Sequence, residues 1–167
     1  YERLLAGMQF SRATSAGYLI NDLARRFAGA LQTRIKPMGL STGVFPIMVQ
    51  LWEEDGLTQA ELVRRIGIEQ ATMANTLARM QRNGLIDRRP SRADGRAHEV
   101  RLTEKGQKLE APAIEAALTV NASALSGLSP DERAQFLELL SKTIATFDDA
   151  AETAHAKWPA PEDVPNR

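Results

Sequence analysis

Thr58 and Glu61 stand three residues apart at the head of an apolar-periodic run, and this T-x-x-E spacing constrains the chain more than any other feature. A threonine hydroxyl at an N-cap accepts from the third helical N–H while the glutamate reaches back to the cap's own N–H, so a helix starts at Gln59. Leu57 and Leu62 occupy the two positions of a hydrophobic staple around that start. The helix ends after Ile66, because Gly67 supplies the left-handed residue for a sharp turn, and a second helix begins near Glu69. Two short helices joined by a tight turn are the expected centre of the fold.

In the second helix, Met73, Leu77 and Met80 share one face, and Thr72, Asn75, Thr76, Arg79 and Asn83 are assigned to the other. Gly84 closes the helix, and Leu85 sits where a Schellman motif brings an apolar residue back to the last turn, here Met80. The period then changes from helical to alternating. Leu85 to Arg89 and His98 to Leu102 are expected to form a hairpin whose connection, 90–97, carries the turn signal Asp94-Gly95 between Arg92 and Arg96.

Longer helices flank this centre. Leu19, Leu23, Phe27 and Leu31 recur every four residues and mark a helix running toward Ile35, stopped by Pro37 and Gly39. A helix over Val44 to Trp52 follows Ser41, a candidate N-cap, with an early kink expected at Pro46. Thr103 is expected to cap a helix bearing Leu109, Ile114 and Leu118, bent at Pro112 and ended by 125–128. Ser129, Pro130 and Glu132 form a second capping box with proline at the first helical position, and Phe136, Leu140, Ile144 and Phe147 are the stripe of that helix. The tail 158–167 holds prolines and is read as irregular.

The formal net charge is zero, with an uneven distribution. Between Leu57 and Lys108, 11 Lys or Arg oppose 6 Asp or Glu, whereas the rest of the chain holds 10 against 15. A locally basic segment is compatible with a nucleic-acid footprint and equally with a solvated face. The chain has no cysteine, which removes disulfides, thiolate zinc, iron–sulfur clusters and thiol redox switching. No apolar run reaches a membrane-spanning length and no leader-like run opens at Tyr1, so a soluble, cytoplasmic protein is expected.

Helix, tight turn, helix and charged hairpin make the winged form of the helix-turn-helix, and the sequence resembles the MarR family of bacterial regulators. The resemblance is carried by Gly39-Leu40-Ser41, Gly56-Leu57-Thr58-Gln59-Ala60-Glu61-Leu62 and Gly84-Leu85-Ile86, and most specifically by Asp87-Arg88-Arg89, Asp94-Gly95-Arg96 and Leu102-Thr103-Glu104-Lys105-Gly106. It implies a mainly α fold with a small β-hairpin wing: one domain over 1–167, a winged helix-turn-helix over 41–104, and dimerisation helices over 1–37 and 105–157. It also implies a transcription regulator that binds double-stranded DNA as a homodimer, with half-sites about one helical turn apart on a near-palindromic operator.

The chemistry of the candidate residues agrees with that reading. Asn75 suits adenine and Arg79 guanine in a major groove, while Gln70, Thr72 and Thr76 complete the DNA-facing set of the second helix. The resemblance implies that Arg96 reaches the minor groove and that Asp94 orients the tip beside Arg92. Arg88 and Arg89 point to opposite sides of one strand, so a single one of them faces DNA, and alternation alone leaves open which. Arg64 and Arg65 are surface or phosphate contacts. The family's habit of binding a small aromatic or anionic effector directs attention to Tyr18, Phe27, Phe45 and Trp52, aromatics that serve equally well as core.

Catalysis is not expected. His98 and His155 lack the H-x-x-x-H or H-E-x-x-H spacing of a metal site, and neither a phosphate-binding glycine loop nor a G-x-S-x-G elbow is present, so no metal and no cofactor are assigned. The rival from another class is a winged helix used as a protein–protein interaction module, which needs no Asn and Arg on the exposed helix face.

Overall fold

The computed structural model describes residues 11–90 and 98–156, with side chains described to residue 147. Contacts divide the chain into two compact units, Tyr1–Ser123 and Ala124–Arg167.

The first unit opens with α1 (Ala16–Ile35), capped by the Ser15 hydroxyl, which accepts from the Tyr18 N–H. Its stripe emerges from solvent along its length: Leu19 is 49% exposed, Leu23, Phe27 and Leu31 are half-buried, and Ile35 is fully buried. A 3₁₀ turn, Lys36–Met38, carries Pro37, and Gly39 follows at φ +76°. Helix α2 (Phe45–Glu53) corrects two expectations. The N-cap is Val44 and makes no side-chain bond, while Ser41 contributes only its carbonyl, which accepts from the Val44 and Phe45 N–H groups at 2.9 Å each. Pro46 falls in the first turn, where the missing N–H has no helical acceptor to lose, so the proline begins the helix rather than kinking it.

The capping box forms as expected. Thr58 N donates to Glu61 Oε2 at 2.7 Å, Glu61 N donates to Thr58 Oγ1 at 3.3 Å, and α3 spans Gln59–Ile66. Gly67, at φ +72°, turns the chain into α4 (Gln70–Arg82). At the far end of α4, Gly84 N donates to Gln81 O at 2.9 Å and Leu85 N to Met80 O at 3.0 Å, the two bonds of a Schellman motif.

The wing strands are β2 (Ile86–Pro90) and β3 (His98–Leu102), antiparallel with Ile86 opposite Leu102 and Pro90 opposite His98. A third strand, β1 (Leu57–Thr58), pairs with the other side of β3, giving the order β1-β3-β2. Two residues are too short for an alternating pattern, and Thr58 also serves as the helix cap, so nothing in the sequence marked this strand.

Thr103 caps a five-residue helix, α4's successor α5 (Glu104–Lys108), and after Leu109 a separate helix, α6, spans Glu110–Ala124. One bent helix was expected. Pro112 has no N–H to give to the Lys108 carbonyl and its ring crowds that carbonyl, so the ladder breaks there instead of bending. The core joins Ile35, Leu40, Val44, Ile47, Met48 and Leu51 to Leu62, Met73, Leu77, Met80, Ile86 and Val100, with Ala113 and Ala116 from α6.

In the second unit, Ser129 N donates to Glu132 Oε2 at 2.8 Å and Glu132 N to Ser129 Oγ at 3.3 Å, so the second capping box starts α7 (Pro130–Ala156). Along α7, Phe136 and Leu140 are half-buried, whereas Ile144 and Phe147 are 60% and 72% exposed. Among the described residues no helix is long and apolar enough to cross a membrane.

Candidate nucleic-acid interface

Helix α4 is held by what it buries. Met73, Leu77 and Met80 are fully buried, each such side chain contributing roughly 1.5–3 kcal/mol, and this fixes which face looks outward. Gln70, Thr72, Asn75 and Arg79 are all exposed on the described chain. Thr76 departs from its expected place: at 9% exposure it is buried. At 100° per residue, position 76 falls about 40° beyond position 80, at the edge of the core stripe, so the outward set on α4 is Gln70, Thr72, Asn75 and Arg79.

Helix α4 is also fastened at its exit. Thr103 Oγ1 donates to the carbonyls of Gly84 at 2.7 Å and Leu85 at 3.2 Å, Thr103 N donates to Leu85 O at 3.1 Å, and Lys105 Nζ donates to Asn83 O at 2.9 Å. The carbonyls of 83–85, at and just beyond the end of α4, thereby find partners at the start of α5. Sequence reading found Leu102-Thr103-Glu104-Lys105-Gly106 only as a motif, since its partners lie about 20 positions earlier.

The structure separates Arg88 from Arg89. Arg88 lies opposite Val100, and its half-buried side chain lines a concavity of about 650 Å³ with Thr58, Gln59, Gln70 and His98. Arg89 is exposed on the other face of the sheet, 3.9 Å from Asp87, and borders a recess with Glu99 and Arg101. Arg88 is thus the arginine on the side of α4. Thr58, read from the sequence as a cap, and Gln59, read as the first helical residue, join this surface; Gln59 Nε2 lies 3.4 Å from Gln70 Oε1 and links the starts of α3 and α4. Arg92, Asp94 and Arg96 lie outside the described residues, as does the tail from 158.

Behind the wing, the Asp55 carboxylate accepts from Leu102 N at 2.8 Å and lies 3.6 Å from Arg101, which also binds Glu99 at 2.7 Å. These contacts tie β3 to the loop before β1. Arg65 pairs with Glu54 at 2.5 Å, while Arg64 is exposed. The Glu61 carboxyl is held below its ordinary range by the Thr58 N–H and then by the Thr58 hydroxyl, so the capping box is charged near neutrality.

Of the four aromatic candidates, Phe45 and Trp52 meet edge to face with centroids 6.2 Å apart, and both pack on the core. Trp52 Nε1 donates to the Gly106 carbonyl at 3.0 Å. Tyr18 is 44% exposed with Arg12 6.0 Å from its ring centroid, and Phe27 is half-buried on α1. No group of three or more His, Cys, Asp or Glu suited to a metal ion occurs among the described residues.

Residues 38–97 match the family model described as the MarR family. The chain is similar to a MarR transcriptional regulator from Methanosarcina mazei Go1 at 27% identity and a TM-score of 0.73, covering 82% of this chain and 96% of that one. It is similar to the transcriptional repressor CouR, solved on a 23-mer DNA duplex, at 25% identity and a TM-score of 0.73, covering 83% and 99%. A MarR family regulator from Listeria monocytogenes, solved with 26mer DNA, shares the fold at 24% identity and a TM-score of 0.76 over 88% and 98%. Residues 38–97 thus match the MarR family, and the chain as a whole shares the winged helix-turn-helix fold of these regulators.

Proposed function

We propose that the protein is a sequence-specific DNA-binding transcription regulator that acts as a homodimer on a near-palindromic operator and is a repressor released by a small aromatic or anionic effector. The observation that carries this reading is the outward face of α4. Gln70, Thr72, Asn75 and Arg79 are exposed on a helix whose opposite face is buried in the core, a narrow polar set of the kind that pairs with base edges in a major groove. Arg88 supports it from the wing side, and a relative at 25% identity is a repressor solved on a DNA duplex.

The homodimer is supported by apolar surface that the described chain leaves uncovered. Tyr18, Leu19 and Ile20 on α1, and Ile144 and Phe147 on α7, are each more than 40% exposed. Large exposed apolar side chains on two helices fit an isologous interface between copies. In this reading residues 41–104 bind DNA, 1–37 and 105–157 form the dimer, and the protein works in the cytoplasm. Effector binding near Phe45 and Trp52, with Phe27 and Tyr18 toward α1, changes half-site spacing and so lowers affinity for the operator.

Selection from a random duplex pool tests this directly. The expected product is a two-fold repeated half-site, followed by loss of binding with an aromatic or anionic compound in a screen. Recovery of no preferred sequence sinks the reading and favours a protein–protein interaction module.

A further inference from the structure

The segment 102–106 is held from two sides. On one side it carries the exit of α4: Thr103 N and Thr103 Oγ1 donate to the carbonyls of Leu85 and Gly84, and Gly106 backs onto the Leu85 carbonyl so closely that no Cβ fits between them. On the other side it is gripped from the end of α2. Trp52 Nε1 donates to Gly106 O at 3.0 Å, and the Asp55 carboxylate accepts from Leu102 N at 2.8 Å. Two side chains three positions apart thus hold two backbone groups four positions apart, one on each side of Thr103.

The Asp55 bond takes over where the sheet's own ladder stops. Leu57 lies opposite Val100, so the same register carried backward sets position 56 against 101 and position 55 against 102. Gly56 N still donates to Val100 O at 3.1 Å, whereas the next acceptor, for the Leu102 N–H, is the Asp55 side chain. A charged acceptor strengthens that bond. The other carboxylate oxygen lies 3.6 Å from Arg101, whose guanidinium covers Gly56 and also binds Glu99. Helix α2 is a firm base for both grips, because its Ile47, Met48 and Leu51 are fully buried and cannot shift without opening the core.

We propose that Trp52 and Asp55 are positioning residues for DNA binding: together they fix the segment 102–106 against α2 and, through Thr103, set the angle at which α4 and the wing strands are presented as one piece. This role rests on the function proposed above. Neither side chain needs to touch DNA, since each acts through Thr103 and the exit of α4. Loosening either grip spares the attraction to phosphates, which tolerates a pivot, and costs the base contacts, which need fixed geometry.

The test uses the full chain with Trp52→Phe, Asp55→Ala and Asp55→Asn, against a duplex obtained by selection and a scrambled one. Affinities are measured well below the unfolding midpoint of every variant, so a merely structural loss, which lowers both affinities alike, drops out of their ratio. Trp52→Phe and Asp55→Ala are each expected to lower the preference for the selected duplex at least about fivefold, the low end for one bidentate base contact. Asp55→Asn loses the same charge but keeps an oxygen for Leu102 N, and is expected to retain most of the preference. An unchanged preference in either Trp52→Phe or Asp55→Ala, or an equal loss in Asp55→Asn and Asp55→Ala, overturns the proposal. Should the wild type prefer neither duplex, the proposed function fails, and amide hydrogen exchange decides whether the two grips fix the segment. Faster exchange at Thr103 N–H but not at Gly67 N–H in Trp52→Phe and Asp55→Ala upholds them; no change at Thr103, or an equal change at both, overturns them.

Discussion

Trp52 and Gly106, 54 positions apart, are joined by a 3.0 Å hydrogen bond from the indole Nε1 to the glycine carbonyl. The bond ties α2 to the turn that fastens the end of α4. A Cβ built on Gly106 would lie 2.2 Å from the Leu85 carbonyl oxygen, a backbone atom that cannot swing aside. Gly106→Ala should therefore destabilise by about 2–4 kcal/mol through overpacking, and Trp52→Phe by about 1 kcal/mol through the lost hydrogen bond. Urea unfolding of both variants checks the order; equal effects would mean that the close approach at Leu85 is not a constraint.

Acid sensitivity should trace to the capping boxes. The Glu61 carboxyl is lowered from an ordinary value of 4.5 by the Thr58 N–H and then its hydroxyl, and Glu132 is lowered in the same way by Ser129. A carboxyl depressed in the folded state contributes fully above its unfolded value, and that contribution disappears as pH falls through the folded value. Glu61→Gln keeps an acceptor that does not titrate. Its thermal midpoint should fall less steeply than the wild type's below about pH 4.5, as followed by circular dichroism; parallel curves would place the acid response elsewhere.

The helix and the wing should make different contributions to DNA binding. Arg79→Ala is expected to cost about 1–3 kcal/mol and to relax preference at one base position, with Asn75→Ala behaving likewise at another. Arg96→Ala should weaken binding to most sequences. Thr76→Ala, which alters a buried position, should leave base preference unchanged. Repeating the sequence selection with each variant checks these outcomes, and an unchanged preference for Arg79→Ala would remove that residue from the groove.

Ile144 and Phe147, 60% and 72% exposed, should matter to assembly and not to folding of the chain. Phe147→Glu paired with Ile144→Glu places charge on both and should shift the protein from dimer to monomer in sedimentation, with helical content retained. A dimer that survives both changes would put the interface on another surface.

How far the sequence alone could be read depended on whether a feature was local. Thr58, Glu61 and Gly67 act within a few residues of themselves, so the helix pair and its turn were legible, as were the Gly84-Leu85 exit and the existence of the hairpin, though not its register. Pro46 and Pro112 were visible as helix breakers, but their effect depends on position within the helix: harmless in the first turn for one, a full break for the other. Thr76 was misplaced because a small polar residue carries no mark of its face. Strand β1, the Asp55–Arg101 tie and the choice between Arg88 and Arg89 required partners 40 or more residues away, or a sheet face whose other side could not be seen.

The most direct measurement is fluorescence anisotropy of a selected duplex and a scrambled one across a salt series. Specific binding through several phosphates and base edges predicts at least about a thousandfold preference for the selected duplex at physiological salt. It also predicts a log–log salt slope of several units. Equal affinity for the two duplexes, or a flat response to salt, would contradict the assignment of this winged helix to sequence-specific DNA binding.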